Sequence, residues 1–225
     1  MSVRRLIIAI DGPSGAGKGT VAREIARRLQ YKHLDTGAMY RAVAWKALHD
    51  AIALNNEDAL ADLAQRASLD VGPSSVVIDG HDVTNVIRTP EIDRAAAAAA
   101  RLPKVRAALV ERQRHEGASG GIVMEGRDIG SVVFPDAEVK IYLDASPEER
   151  ARRRAADPAH GISRAAAADD VATEMAARDR SDRTRSTSPL KKTEGAIELD
   201  TTGLSVEETV QKVLAIVNDA LSAPR

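Results

Sequence analysis

Near its start the chain reads Gly12-Pro13-Ser14-Gly15-Ala16-Gly17-Lys18, which follows the pattern G-x-x-x-x-G-K. Closely spaced glycines let a backbone curl until successive N–H groups point into one concavity. A helix starting there adds the positive end of its dipole. Such a hollow suits a polyphosphate, and Lys18 supplies a mobile full charge able to follow a transferring phosphoryl group. Gly19 stands where a hydroxyl residue usually reaches Mg²⁺, and the hydroxyl comes one place later, at Thr20. No direct protein ligand is therefore assigned to the metal. Mg²⁺ is expected to be held mainly by phosphates and water.

Two further constellations suit an acceptor. Leu34-Asp35-Thr36-Gly37-Ala38-Met39-Tyr40-Arg41 reads as a short strand, a turn and a helix, with Thr36 as the expected N-cap. Tyr40 and Arg41 then fall in the first turns of that helix, where ligands bind in open α/β folds. Glu125-Gly126-Arg127-Asp128-Ile129-Gly130 follows a strand and packs a carboxylate, an arginine and a second carboxylate between glycines. Arg127 has the fork geometry to grip a phosphate through two hydrogen bonds, and Asp128 can accept from an amino group of a ligand.

Arginine is concentrated in one segment. Arg150 to Arg185 holds nine arginines, no lysine and six acidic residues. On a helix, offsets of four and seven place Arg178, Asp182 and Arg185 on one face, with Arg180 and Arg183 toward the other. Two guanidiniums flanking a carboxylate suit a phosphate-and-ribose clamp, and equally an ordinary ion-pair ladder. Arg150, Arg152, Arg153 and Arg154 precede the helix-ending pair Asp157-Pro158 and read as a lid over the donor phosphates. An arginine at a phosphoryl-transfer transition state is worth a factor of about 10³ to 10⁵.

Positioning these groups requires a parallel sheet. Leu6 to Ile10 is apolar at every position, as in a strand buried on both faces. Val21 to Leu29 is periodic as a helix. Ile122 to Met124, Val139 to Leu143 and Ala196 to Leu199 are further strand candidates. The last helix opens with a capping box, Ser205 to Glu208. Alternating strands and helices predict the α/β class, with helices on both faces. Val76 to Val83, turning at Asp79-Gly80, reads as a hairpin that breaks the alternation. Glu91 to Arg101 reads as an alanine-rich helix, and Pro103 opens another.

Composition excludes several functions. The 225 residues carry 32 Lys+Arg and 33 Asp+Glu, a net charge of −1, unlike the strongly basic surface of most nucleic-acid binders. Three Tyr, one Trp and one Phe are too few for a base-stacking platform. The absence of Cys removes disulfides, thiolate metal sites and Cys nucleophiles, and points to a reducing, cytoplasmic setting. No apolar run approaches the length that crosses a bilayer. The five histidines, His33, His49, His81, His115 and His160, lack metal-ligand spacing and are read as structural or surface residues. A signalling GTPase would add Asn-Lys-x-Asp and a transport ATPase Leu-Ser-Gly-Gly; neither run occurs. A kinase of a small acceptor remains.

With these residues in view, the chain resembles the bacterial cytidylate kinases, members of the nucleoside monophosphate kinase family of P-loop kinases, over nearly its whole length. The resemblance rests on Ile10 to Thr20 with its Gly-Lys-Gly-Thr ending, on Leu34 to Arg41, and on Glu125 to Asp128. It extends to Val132-Val133-Phe134-Pro135-Asp136-Ala137 and Val139 to Ala145. Glu-Gly-Arg-Asp is the specific part, since adenylate kinases carry Asp-Gly-Phe-Pro-Arg there. The resemblance implies a P-loop NTPase-type sheet with an inserted CMP-binding lobe and an arginine-rich lid. The expected divisions are 1–59, 106–149 and 178–225 for the core, 60–105 for the lobe and 150–177 for the lid. It implies phosphoryl transfer from ATP, with Mg²⁺, to CMP or dCMP.

Carried over residue by residue, the resemblance gives Lys18 to the ATP phosphates and Arg153 to the lid. Arg41, Arg127, Arg178 and Arg185 go to the acceptor phosphate or the transferring group. Arg106 and Asp128 fall to cytosine, and Arg178 with Asp182 to the sugar. Some relatives read cytosine with a hydroxyl where this chain has Ala97. A monomer acting on small molecules, with no nucleic-acid or membrane partner, is expected. The rival readings are a kinase for UMP or AMP, and an ATP-dependent RNA-binding module.

Overall fold

The computed structural model describes residues 5–156 and 168–223. The central sheet has five parallel strands in the order β2-β6-β1-β7-β8: β1 Ile7–Asp11, β2 Lys32–Asp35, β6 Ile122–Gly126, β7 Val139–Asp144 and β8 Ile197–Asp200. β1 is central, and its residues Ile8, Ala9 and Ile10 are fully buried, as an unbroken apolar run requires. A second sheet, β3 Leu69–Val71, β4 Val76–Ile78 and β5 His81–Asp82, is antiparallel. Its β4–β5 hairpin turns at Asp79 and Gly80, both at positive φ, the backbone of a two-residue hairpin turn.

Eight helices are described: α1 Lys18–Leu29, α2 Thr36–His49, α3 Glu57–Arg66, α4 Pro90–Ala99, α5 Pro103–Gly117, α6 Pro147–Ala156, α7 Ala168–Thr184 and α8 Val206–Ser222. They cover the main sheet on both faces. One apolar cluster sets Val21 and Ile25 of α1 and Val210, Val213 and Val217 of α8 against Ile8, Ile10, Ile141 and Leu143. The other joins Leu34 and Met124 to α2, α3, α5 and the small sheet. Burying each such Leu, Ile or Val contributes about 1.5–3 kcal/mol, so the two clusters supply most of the favourable term. The capping box at Ser205 and Glu208 forms as expected.

One expected cap is displaced by a residue. Thr36 is already helical, and Asp35 is the N-cap, its carboxylate accepting from the Ala38 N–H at 2.9 Å. Thr36 instead donates its hydroxyl to the Glu125 carbonyl at 2.7 Å, tying α2 to the end of β6. The segment 60–105 contributes Leu60, Ala64, Ile78 and Ile87 to the same apolar cluster as the sheet, and α3 runs across residue 60. Asp157-Pro158, His160 and the middle of the 150–177 segment lie outside the described residues.

Candidate active site

Most of the groups singled out for chemistry line one cleft of about 620 Å³ at the carboxyl ends of β1, β2 and β6. β1 runs into the glycine-rich loop, and α1 begins at Lys18 directly behind it. Gly12 must be glycine: its φ is +150°, and a Cβ there would meet the Leu143 carbonyl oxygen at 2.0 Å. Gly17, the N-cap of α1, lies at φ +88° and leaves the first N–H groups of the helix facing the cleft.

Lys18 is buried, and its ammonium donates to the Pro13 carbonyl across the loop at 2.7 Å. Burial pushes its pKa down to about 7, with repulsion from Arg127 and Arg178 set against attraction from Glu125 and Asp11. Asp11, at the end of β1, accepts from the Ile129 and Gly130 N–H groups, both at 2.8 Å. Burial raises its pKa to about 6 against the lowering effect of those two bonds. The π-turn Ile129–Val133 that it holds follows Arg127 and Asp128 directly, so Asp11 fixes the loop that carries them.

On the acceptor side, Arg41 pairs with Asp35 at 3.0 Å. Burial works to raise the Asp35 carboxyl, but Arg41 and the Ala38 N–H hold it below the ordinary value. Arg127 donates to Asp182 at 2.9 Å, and Arg185 lies 3.8 Å from the other oxygen of Asp182. Arg106 pairs with Asp128 and lies 5.7 Å over the Tyr40 ring, while Arg185 approaches the second Asp128 oxygen at 3.6 Å. The expected helical face is real: Asp182 and Arg185 are buried and Arg178 half-buried, while Arg180 and Arg183 are exposed. Arg185 itself follows the last residue of α7.

This clamp holds unspent hydrogen-bonding capacity. The Tyr40 hydroxyl, Arg41 Nε and Arg106 Nε are buried and find no hydrogen-bond partner among the described residues, and Arg185 Nη2 has only its 3.6 Å ion pair with Asp128. Burial pushes the Tyr40 phenol up to about 12, so it stays a neutral donor. Burial lowers the pKa of both Arg178 and Arg185. Buried donors without partners cost about 1–3 kcal/mol each.

The arginine run on α6 divides. Arg150 faces inward: it is buried and donates to the Ser14 carbonyl at 3.0 Å and to Asp179. Asp179 in turn accepts from the Ser14 N–H at 3.1 Å, so the pair braces the glycine-rich loop from behind. Arg152 is exposed on Glu149. Arg153 reaches the loop mouth, donating to the Thr201 carbonyl at 2.6 Å and the Ala16 carbonyl at 3.4 Å. Arg154 crosses to Asp93 on α4.

Some cleft residues carried no sequence signal. Arg88 lines the cleft from a 3₁₀ turn, Val86–Arg88, with no motif around it. His33 is buried on β2, its Nε2 3.4 Å from Glu125. His49 and His81 are exposed; His49 stacks on Trp45, and His81 packs against it at a tilt. Among the described residues, no three His, Asp or Glu side chains form a metal cage.

The cytidylate kinase family model matches residues 8–219. A cytidylate kinase of Geobacillus sp. (strain WCH70) is 48% identical over 220 residues, spanning 95% of this chain and 97% of the relative. One of Desulfitobacterium hafniense (strain Y51) is 49% identical over 219 residues, spanning 96% and 94%. A crystal structure of an uncharacterised protein from Eubacterium ventriosum superposes with a TM-score of 0.55 at 10% identity, over 96% of this chain and 99% of that one, a likeness of fold alone. By this match and these relatives, the chain belongs to the cytidylate kinase family.

Proposed function

We propose that the cleft transfers the γ-phosphoryl group of ATP to CMP or dCMP, giving ADP and CDP or dCDP. The observation that carries this is the pairing of a phosphate cradle with a facing set of arginines, Arg41, Arg106, Arg127, Arg178 and Arg185, that line the same cleft. A phosphate oxygen of the acceptor attacks the γ-phosphorus in line, and the bond from that phosphorus to the β–γ bridging oxygen breaks. Charge collects on the equatorial oxygens, where Lys18 and the guanidiniums of Arg127, Arg178 and Arg185 stabilise it. Gly12, Pro13, Ser14, Gly15, Ala16, Gly17, Gly19 and Thr20 cradle the ATP phosphates, and Arg153 closes on them. Arg41 faces the acceptor phosphate, with Thr36 and Tyr40 beside it in the acceptor site. Asp182 with Arg178 takes the sugar.

Asp128 and Arg106 give the base end an acceptor beside a donor, complementary to the amino group and ring acceptors of cytosine. Uracil offers a carbonyl where cytosine offers the amine, so UMP leaves Asp128 facing an oxygen. This favours CMP over the UMP reading. The hard oxygens of Glu125 and Thr20 at the cradle fit Mg²⁺, with phosphates and water as its main ligands. When bound, the ion neutralises phosphate charge. The segments 60–105 and 150–177 serve as acceptor lobe and lid around the core, in a monomer. No described helix is long and apolar enough to cross a membrane.

Turnover across CMP, dCMP, UMP and AMP at fixed ATP and Mg²⁺ tests the assignment. CMP should lead in kcat/KM. A preference for AMP, or ATP binding with no acceptor phosphorylation, refutes it.

A further inference from the structure

Asp93 lies on α4, and its side chain retains 12% of its exposure. Its carboxylate meets guanidiniums from three other helices. Arg154 of α6 pairs with one oxygen, and Arg178 of α7 lies 3.2 Å and Arg41 of α2 3.9 Å from the other. Asp35, Asp128 and Asp182 also pair with cleft arginines, but among the described residues none of them gathers arginines from three separate helices. Two of the Asp93 partners, Arg41 and Arg178, belong to the group assigned above to the acceptor.

We propose that Asp93 is a positioning residue that holds Arg41, Arg154 and Arg178 as their shared counter-ion, so that the acceptor phosphate binds by competing with it for those guanidiniums. The inference rests on the acceptor reading above. Three guanidiniums this close repel one another, and a shared carboxylate fixes their spacing before the ligand arrives. The same charge lies beside an incoming dianion and repels it. Asp93 therefore gives preorganisation at a cost in affinity, and it links α4 to α6 and α7 through Arg154 and Arg178.

The test is the split between kcat and KM. In Asp93→Asn the shape remains and the charge goes. The KM for CMP should fall about five- to tenfold, as expected for removing one like charge near a dianion in a partly buried site. The kcat should fall about tenfold as the guanidiniums lose their fixed spacing, and the KM for ATP should stay within about twofold. Asp93→Glu, which keeps the charge, should return the KM for CMP toward that of the wild type. A residue that only supports the fold would lower stability without tightening CMP binding. A folded Asp93→Asn enzyme with an unchanged or raised KM for CMP overturns the proposal.

If Asp93→Asn does not fold, Arg154→Gln reads the same contact from the other side. With Asp93 less neutralised, the KM for CMP should rise about threefold, and an unchanged value overturns the proposal. Wild-type enzyme that fails to phosphorylate CMP would instead remove the acceptor reading, which separates the two failures.

Discussion

Binding of ATP should draw a proton into the cradle, and Lys18 is where it should go. Burial holds this ammonium at about 7, against an ordinary value of 10.5. At pH 8, then, about one empty cradle in ten carries the charge, and at pH 6 about nine in ten. A polyphosphate placed against the ammonium favours the charged form. Complex formation at pH 8 should therefore take up about 0.9 proton from the buffer, and at pH 6 about 0.1. Calorimetry of MgATP binding without acceptor, in buffers of different ionisation enthalpy, reads this number as a slope. Lys18→Ala should flatten the slope at pH 8 and cut kcat by a factor of about 10² to 10³ while the fold persists.

The same substitution has a stability signature. Unfolded chain keeps its Lys18 proton up to about 10.5, whereas folded chain sheds it above 7. The unfolded state thus binds more protons in that window, and the empty enzyme gains stability as pH rises through it, by at most about 5 kcal/mol. Lys18→Ala should lack this gain. A wild-type proton uptake near zero at pH 8, or an equal uptake in the variant, would refute the reasoning.

Three further outcomes follow from the geometry. Asp11 is held at about 6, so the folded chain binds its proton more tightly than the unfolded one between 3.8 and 6. Wild-type stability relative to Asp11→Asn should accordingly fall by up to about 3 kcal/mol as pH rises through that window, measured by urea unfolding. Gly12→Ala drives a Cβ into the Leu143 carbonyl and should cost at least about 3 kcal/mol or prevent folding, read by the yield and melting of the purified chain. Ala97 lines the cleft, and Ala97→Ser should sharpen CMP over UMP discrimination by about two- to tenfold in kcat/KM, as one added hydrogen bond would.

Local chemistry made most of the frame readable. The run Leu6 to Ile10, the glycines before Lys18 and the alternation of strand and helix are signals within a few residues, and β1, α1 and the parallel sheet follow from them. The Asp79-Gly80 turn is equally local. What escaped depended on partners far along the chain. Asp35 and Thr36 are both good caps, and only the Glu125 carbonyl, which takes the Thr36 hydroxyl, decides between them. Neighbouring arginines on α6 look alike in sequence, yet Arg150 faces Ser14 and Asp179, 136 and 29 positions away, while Arg153 reaches the loop mouth. Asp93 reads as an ordinary first-turn acid until α6 and α7 bring their guanidiniums to it.

β1 and β6 run side by side in register, with Asp11 opposite Gly126. The loop that leaves β1 and the loop that leaves β6 therefore start one strand spacing apart, about 4.8 Å. A ladder of backbone hydrogen bonds neither stretches nor slips without breaking, since a slip of one residue would move every side chain of these doubly covered strands to the opposite face and undo both packings. On the proposed reading, the gap between the two nucleotides is thus ruled by main-chain geometry, whatever the outer helices do. Remodelling the base pocket for another acceptor is compatible with this frame, whereas adding one residue to either strand would part the reacting atoms and silence the enzyme for every acceptor at once.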